Sequence, residues 1–339
     1  MSLRRVNKHF QKLIETVPHE FYGVMIRFEV HKVLLIFSEK SEIVSHYCIK
    51  FIKDEFGCKV LSYNWSTKGS KIEKESEIME ELVMGADFVD MAGETILAIL
   101  GNTNLKVGNF RVCHNFEGFL DNLAEFKKIE KKLLLKTKKA MINAGNFSVF
   151  SLSFCYSGNE EDVLCILPHL DVEYLDTFEL ECTYLHQGPI EISRIMSTEQ
   201  VKKLDVLKMF DLPGNKLPFE MWKDYPITEM TLNHDKLEDY LTFFKHFFYS
   251  PTFESTKIAT RFSQKDLMKS LQTYRFPWQS KEQEVYINLW NEVKGQPMRL
   301  TISDSCFELK ELTDEEGSDE EDEDEEECQL VQHLAFFHN

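Results

Sequence analysis

Apolar residues recur along this chain with two different periods, and the switch between them marks out its elements. Over residues 1–16 (MSLRRVNKHFQKLIET), Leu3, Val6, Phe10, Leu13 and Ile14 fall three or four positions apart, with Arg and Lys opposite. That spacing predicts one short amphipathic helix, with Ser2 placed to cap its start. The period then shortens. Phe21 to Phe28 and Val33 to Phe37 are two runs joined by a short polar stretch, and Val44 to Phe51 and Cys58 to Trp65 follow. Residues 17–108 therefore start as a small antiparallel meander. Lys74 to Met84 then reads as a helix, and Met91 to Leu100 as a second one, ended by Gly101-Asn102-Thr103-Asn104.

From residue 109 to 310 a short strand-like run repeats. It appears as Phe150-Ser-Leu152-Ser-Phe154, Phe178-Glu-Leu180-Glu-Cys182, Asp205-Val-Leu207-Lys-Met209, Glu229-Met-Thr-Leu232 and Ser255-Thr-Lys-Ile258. The steps from Leu152 through Leu180, Leu207 and Leu232 to Ile258 are 28, 27, 25 and 26 residues, and Tyr286 to Leu289 follows after 29 more. Such spacing lies in the range of leucine-rich repeats, where a strand and a helix form a unit that cannot bury its own apolar face. Several connections read as helices. Asn159 caps one that starts with Glu160, Glu161 and Asp162 and buries Val163, Leu164, Leu167 and Leu170, with Pro168 weakening its end. Capping boxes at Asp235-Lys-Leu-Glu238 and Ser263-Gln-Lys-Asp266 open two more. Pro213, Gly214, Pro218 and Pro226 make the connection after Leu207 a loop. The strict leucine-rich consensus and its Asn ladder are absent. The expected fold class is thus α/β: a leucine-rich-repeat-like curved α/β array over 109–310, preceded by a short helix and a small antiparallel β-rich region, and followed by a tail over 311–339.

Charge bears on partners. The chain of 339 residues carries a net charge of −18, but Asp314 to Glu327 hold 12 acidic residues in 14 positions. Without that run the balance is only −6. The tail cannot bury apolar area and is expected to be disordered. Thr313 and Ser318 stand just before acids in a pattern that suits an acid-directed kinase. A basic face for nucleic acid is not implied. The lysines at 127, 128, 131, 132, 136, 138 and 139 interleave with Leu133, Leu134 and Leu135, as a solvated helix face does. The longest apolar run, Val33 to Phe37, is too short to span a bilayer. Cys48, Cys58, Cys113, Cys155, Cys165, Cys182, Cys306 and Cys328 form no close pair and sit among apolar neighbours, so reduced thiols in the cytosol or nucleus are expected.

The search for chemistry finds no catalytic, cofactor-binding or metal motif. No phosphate loop, GxSxG elbow, HxxxH helix or Cys/His quartet is present. His31, His46, His169, His186 and His246 read as surface or packing histidines. Glu160-Glu161 belong to a helix first turn, where the helix dipole favours them without catalysis. The chain is therefore expected to be a protein-binding module with no cofactor. An enzyme with a site assembled from distant residues is one alternative. An acidic-tailed binder or chaperone of basic proteins is the other.

A family resemblance accompanies this pattern. Ser2-Leu-Arg-Arg-Val-Asn-Lys-His-Phe-Gln-Lys-Leu-Ile14 resembles the last helix of an F-box. Phe119 to Leu309 resembles the FTH domain, joined to F-boxes in a family expanded in nematodes. Asp162-Val-Leu-Cys-Ile-Leu-Pro-His-Leu-Asp171, Leu175 to Leu180, Ile190 to Met209 and Leu237 to Ile258 carry that likeness. Val201 stands where the family tends to have tryptophan. The resemblance implies a substrate-recruiting subunit of a cullin-based ubiquitin ligase, with Leu3, Val6, Phe10 and Leu13 facing a Skp-type adaptor and the FTH domain holding a target. A full F-box has a Leu-Pro element and two helices before this one, and much of the adaptor contact comes from them. The likeness is therefore to a truncated F-box.

Overall fold

The computed structural model describes residues 20–39, 44–68, 71–75, 78–101, 105–114, 122–145, 147–182, 192–212, 225–232, 249–259, 279–281, 284–291, 293–303 and 306–312. The expected helix over 1–16, the helices opening at Asp235 and Ser263, residues 213–224 of the proline-rich loop and residues 313–339 of the tail lie outside them. The chain divides into two compact units. One comprises Met1–Leu180 with Glu191–Leu204, the other Glu181–Ile190 with Asp205–Asn339.

The first unit starts with the expected meander. β1 (Glu20–Phe28), β2 (Lys32–Glu39), β3 (Val44–Asp54) and β4 (Gly57–Lys68) pair antiparallel in succession. Two short strands, β5 (Lys71–Glu75) and β6 (Met79–Met84), both pair with β4. The helix expected over Lys74 to Met84 is therefore a misreading. Its apolar residues at 78, 79, 82 and 83 suit a helix as well as a strand, and its glutamates favour the helix. The near half of β4 presents a hydrogen-bonding edge, and pairing Cys58 with Val83 and Lys59 with Leu82 satisfies it.

β1 uses its other edge for β7 (Lys106–His114), which runs parallel to it, and β8 (Ser148–Tyr156) continues parallel beyond β7. β9 (Thr177–Cys182) lies next to β8. The connection from β1 to β7 carries α1 (Phe88–Leu100), whose first turn is capped by the Asp87 side chain accepting from Asp90 N–H. The connection from β7 to β8 carries α2 (Leu123–Ala144). After β8 come α3 (Glu160–Leu164), capped by Asn159 as expected, and a single 3₁₀ turn at Leu167–His169 with Pro168 inside it. α4 (Ser193–Met196) and α5 (Glu199–Lys202) complete this unit. Glu160 ties α3 to α4 by accepting from Arg194 N–H at 2.8 Å. Gln200 donates to the Leu170 carbonyl at 3.1 Å.

One face of this sheet is core. Val24, Ile26 and Phe28 of β1, Val33, Leu35 and Phe37 of β2, and Phe110 and Val112 of β7 are all buried. So are Leu152, Phe154 and Tyr156 of β8. α1 lies against β2, β3 and β4. α2 reaches the same face through Phe126, whose ring is 6.0 Å from that of Phe28. The lysine-rich helix is held at its flanks: Lys132 pairs with Asp87 and Asp90 at 3.1 and 2.9 Å, Lys136 pairs with Glu94, and Lys53 reaches Glu125 at 2.7 Å. Lys132 and Lys136 of this helix are thus paired with carboxylates at α1, while Lys53 of β3 takes its Glu125.

The second unit has β10 (Val206–Leu212), β11 (Ile227–Leu232) and β12 (Ser255–Ala259) in parallel. Antiparallel strands follow in the order β12, β16 (Cys306–Glu311), β15 (Gln296–Ile302), β14 (Glu284–Asn291) and β13 (Gln279–Lys281). The run at Tyr286 to Leu289 is therefore a strand but not a further repeat. The neighbour of β12 is β16, and it enters in the opposite direction. Met209, Met230, Ile258, Phe307 and Ile302 form one buried row across five strands. In the next row Thr228 and Thr256 are buried and satisfy each other by a 2.7 Å hydroxyl contact.

Gly57, at the β3–β4 turn, tests this architecture. A Cβ placed there would stand 2.1 Å from the Val83 carbonyl oxygen, a backbone atom that cannot rotate away. Gly57→Ala is expected to cost about 1–3 kcal/mol, as overpacking does. A urea titration that leaves the midpoint unchanged would mean that β6 does not pair there.

Candidate functional site

Two arrangements concentrate polar side chains on this scaffold. The first is the outward-facing row of the strands. Side chains alternate along a strand, so each residue between two core positions points away from the core. In the first unit Arg111 of β7 is in register with Ser153 of β8, and Ser153 donates to Glu179 of β9 at 2.9 Å. In the second unit Lys208, Glu229, Lys257 and Glu308 stand in register on β10, β11, β12 and β16. Charge alternates along this second row, and Lys208 meets Glu229 at 2.8 Å.

The meander continues the outward face with aromatic rings. Gly23, Ser38, His46 and Trp65 form one row across β1 to β4, and Met25, Ile36, Cys48 and Tyr63 the next. His46 stacks on Trp65 at 4.9 Å, its Nδ1 is 2.8 Å from the Ser38 hydroxyl, and Tyr63 stacks on Trp65 at 5.7 Å. Lys50 lies over the Tyr63 ring at 5.9 Å. Burial lowers the pKa of His46, so its neutral, ring-stacking form is favoured. Both long helices, α1 and α2, lie on the opposite, core face. A strand-lined surface of rings, aliphatic side chains and paired charges is suited to contacting another protein.

The second arrangement is buried at the carboxyl ends of β7 and β8, where open parallel sheets commonly place their ligands. His114 ends β7, and its Nε2 is 3.0 Å from Glu130 on α2. The Glu130 side chain is 1% exposed. Lys127, one turn earlier on α2, pairs with Glu130 at 2.7 Å and with Asp162 of α3 at 3.7 Å. Ser157, just past β8, receives a hydrogen bond from Lys127 and donates to Glu130 at 3.4 Å. The His114 ring packs edge-on against Phe126 at 5.2 Å and lies 5.1 Å from Phe28. Burial alone would push the Glu130 carboxyl up, but His114 and Lys127 outweigh it and the net shift is downward. Asp162 moves the other way: burial, then the charge of Glu130, raise it against Lys127 and Ser157.

This cluster holds a serine, a histidine and two carboxylates, yet its order is wrong for nucleophilic catalysis. Activation requires the base beside the hydroxyl, with the carboxylate behind the base. Here Glu130 stands between Ser157 and His114, so the imidazole has no direct path to the serine proton. The arrangement locks α2 to β7, β8 and α3 instead. Sequence reasoning passed over it because His114, Glu130 and Ser157 share no local motif. The only visible signal was a carboxylate on the apolar stripe of a helix, where Glu130 falls with Phe126, Ile129, Leu133 and Leu134.

Of the histidines singled out from sequence, His31 lies between β1 and β2, His46 lies inside β3 rather than flanking it, and His169 sits in the 3₁₀ turn with its pKa lowered by burial and by Lys138. His186 and His246 lie outside the described residues, as do Leu3, Val6, Phe10 and Leu13. Glu160 and Glu161 occupy a helix first turn as expected. Cys48, Cys58, Cys113, Cys155, Cys165 and Cys306 are free thiols, and burial pushes Cys58 up to about 11, away from the reactive thiolate. Among the described residues no group of three or more histidines, cysteines and carboxylates is placed to hold a metal ion, and no helix is long and apolar enough to cross a membrane. No family model, curated protein or solved structure matches the chain.

Breaking a buried pair by removing one partner costs about 3–5 kcal/mol, and Glu130→Gln is expected to fall in that range at neutral pH. Because the folded pKa of Glu130 lies below the unfolded one, its contribution is present above the unfolded value of about 4.3 and lost as pH falls through the folded value. Asp162 has the opposite sign, so protonating it relieves a cost. Urea midpoints measured from neutral to acid pH should therefore fall less for Glu130→Gln than for the parent chain. Parallel curves would refute the pairing.

Proposed function

We propose that this chain is a protein–protein interaction module whose contact surface is the outward face of its strands. The observation that carries the reading is the register of that face. Lys208, Glu229, Lys257 and Glu308 stand one per strand as a polar row over a buried apolar row in one unit, and in the other Arg111 and Glu179 flank the buried Ser153. Leucine-rich-repeat-like construction of each parallel run accounts for this regularity, since equivalent positions of successive repeats come into register. The FTH resemblance adds the finer proposal of a substrate-recruiting subunit of a cullin-based ubiquitin ligase with a degenerate F-box. Leu3, Val6, Phe10 and Leu13 would meet a Skp-type adaptor, and the strand face a protein target, in the cytosol or nucleus. The proposal involves no catalytic step, cofactor, nucleic acid or membrane. The order of the His114 cluster favours this over an enzyme. The 12 acids of Asp314 to Glu327 favour a second reading, a binder of basic proteins, which deletion of 314–327 tests directly.

The adaptor proposal is tested by mixing the full chain with a purified Skp-type adaptor and following complex formation by gel filtration. A complex is expected, and Leu3→Asp with Phe10→Asp should weaken it by about tenfold or more, a loss of at least about 1.4 kcal/mol. No complex with the parent chain ends the ligase reading. The strand face is tested by Lys208→Gln with Lys257→Gln. Surface charge pairs contribute only about 0–1 kcal/mol, so the fold should persist while a captured target is lost. Unchanged capture of the same target would remove the strand face from the binding site.

A further inference from the structure

The strand that sequence alone misread has a feature the strand-face reading does not use. β6 pairs with β4 along one side, and among the described residues no strand pairs with its other side. An open edge presents a row of unpaired backbone donors and acceptors, which proteins usually shield. Here the edge is flanked by large apolar side chains in the open: Ile78 61%, Met79 40%, Leu82 43% and Met84 63% exposed. Phe56, 59% exposed, joins them, since Gly85 N–H donates to the Phe56 carbonyl and brings the two turns together. Scattered apolar side chains on a surface need no explanation, but five around one open strand edge do.

The charge around this edge selects the occupant. Glu80 and Glu81 lie on β6, and Asp54 and Glu55 in the turn beside Phe56. The nearby Lys59 is already committed to Glu80 at 2.7 Å. A second copy of this chain would bring the same carboxylates to the seam, and both copies carry net negative charge. Opposite charges across a strand pair stabilise it and like charges oppose it. We propose that β6 is a docking edge for an extended segment of a partner protein in which apolar residues alternate with lysine or arginine. The segment adds as a strand beside β6. Its backbone pairs with the open edge, its apolar side chains cover Leu82 and Met84 on one face, and its cations face Glu81 on the other. Leu82 and Met84 share the outward face with Lys59 and Gly57 of β4, but docking here runs through the open backbone edge and does not depend on the strand rows.

The test uses the full chain and a fluorescein-labelled blocked peptide of alternating valine and lysine, seven residues long, with a valine–glutamate peptide as control. At about 0.15 M salt, where exposed charges are partly screened, anisotropy should show saturable binding of the lysine peptide and none of the glutamate peptide. Hydrogen exchange over 79–84 should slow when the lysine peptide is added, while 147–156 stays unchanged. Leu82→Lys with Met84→Lys alters only exposed side chains, so its thermal midpoint should match the parent while peptide affinity falls by about tenfold or more. Equal binding by the two peptides, equal affinity for parent and variant, or unchanged exchange over 79–84 would each overturn the proposal. Protection of 79–84 that grows with protein concentration in the absence of peptide would also overturn it, by making a second copy the occupant.

Discussion

Everything in the first unit depends on β1 being hydrogen-bonded on both of its edges. On one side it pairs antiparallel with β2 from Gly23 to Phe28, and on the other it runs parallel to β7 from Glu20 to His114 of the partner strand. The two bonding patterns impose different demands. An antiparallel neighbour can follow after a tight turn, whereas a parallel neighbour requires a crossover. The meander and α1 are contained in that crossover. A strand buried at both edges must also be apolar on its covered face, and Val24, Ile26 and Phe28 meet the condition.

Once α1 and α2 occupy the same face, the rest of the polar chemistry is sorted by it. Lysines on the flank of α2 reach carboxylates at α1, and Lys53 of β3 reaches Glu125 of α2, exposed pairs individually worth about 0–1 kcal/mol. Glu130 differs, because it points into the core. A buried carboxylate must be paired or neutral, and His114, Lys127 and Ser157 converge on it from three elements. The outward face is left with rings, aliphatic groups and charges in register.

Much of the fold was legible in local pattern. Phe21 to Phe28, Val33 to Phe37 and the runs at Leu152, Leu180, Leu207, Leu232 and Ile258 all lie in strands, because a period of two with β-branched and aromatic residues has few other solutions. Asn159 is the cap its sequence promised. The failures share one cause. Met79 to Met84 carries helix-forming residues, yet the free edge of β4 decided its conformation. Tyr286 to Leu289 kept the repeat spacing, but β16 had taken the place beside β12. The Glu130 cluster was hidden because its members are far apart in sequence.

By itself, then, the sequence determined most of the strand runs, the capped start of the helix at Asn159, and that a strand-like run recurs every 25 to 29 residues. Periodicity and capping are local, and the chain carries them wherever it goes. Which strand lies beside which, and in what direction, was decided only in the tertiary structure. Backbone hydrogen bonds do not depend on side-chain identity, so any free edge can recruit any extended segment, and the winner is set by the packing of the whole face. That same packing brought His114 to Glu130 and, among the described residues, left β6 with one edge open.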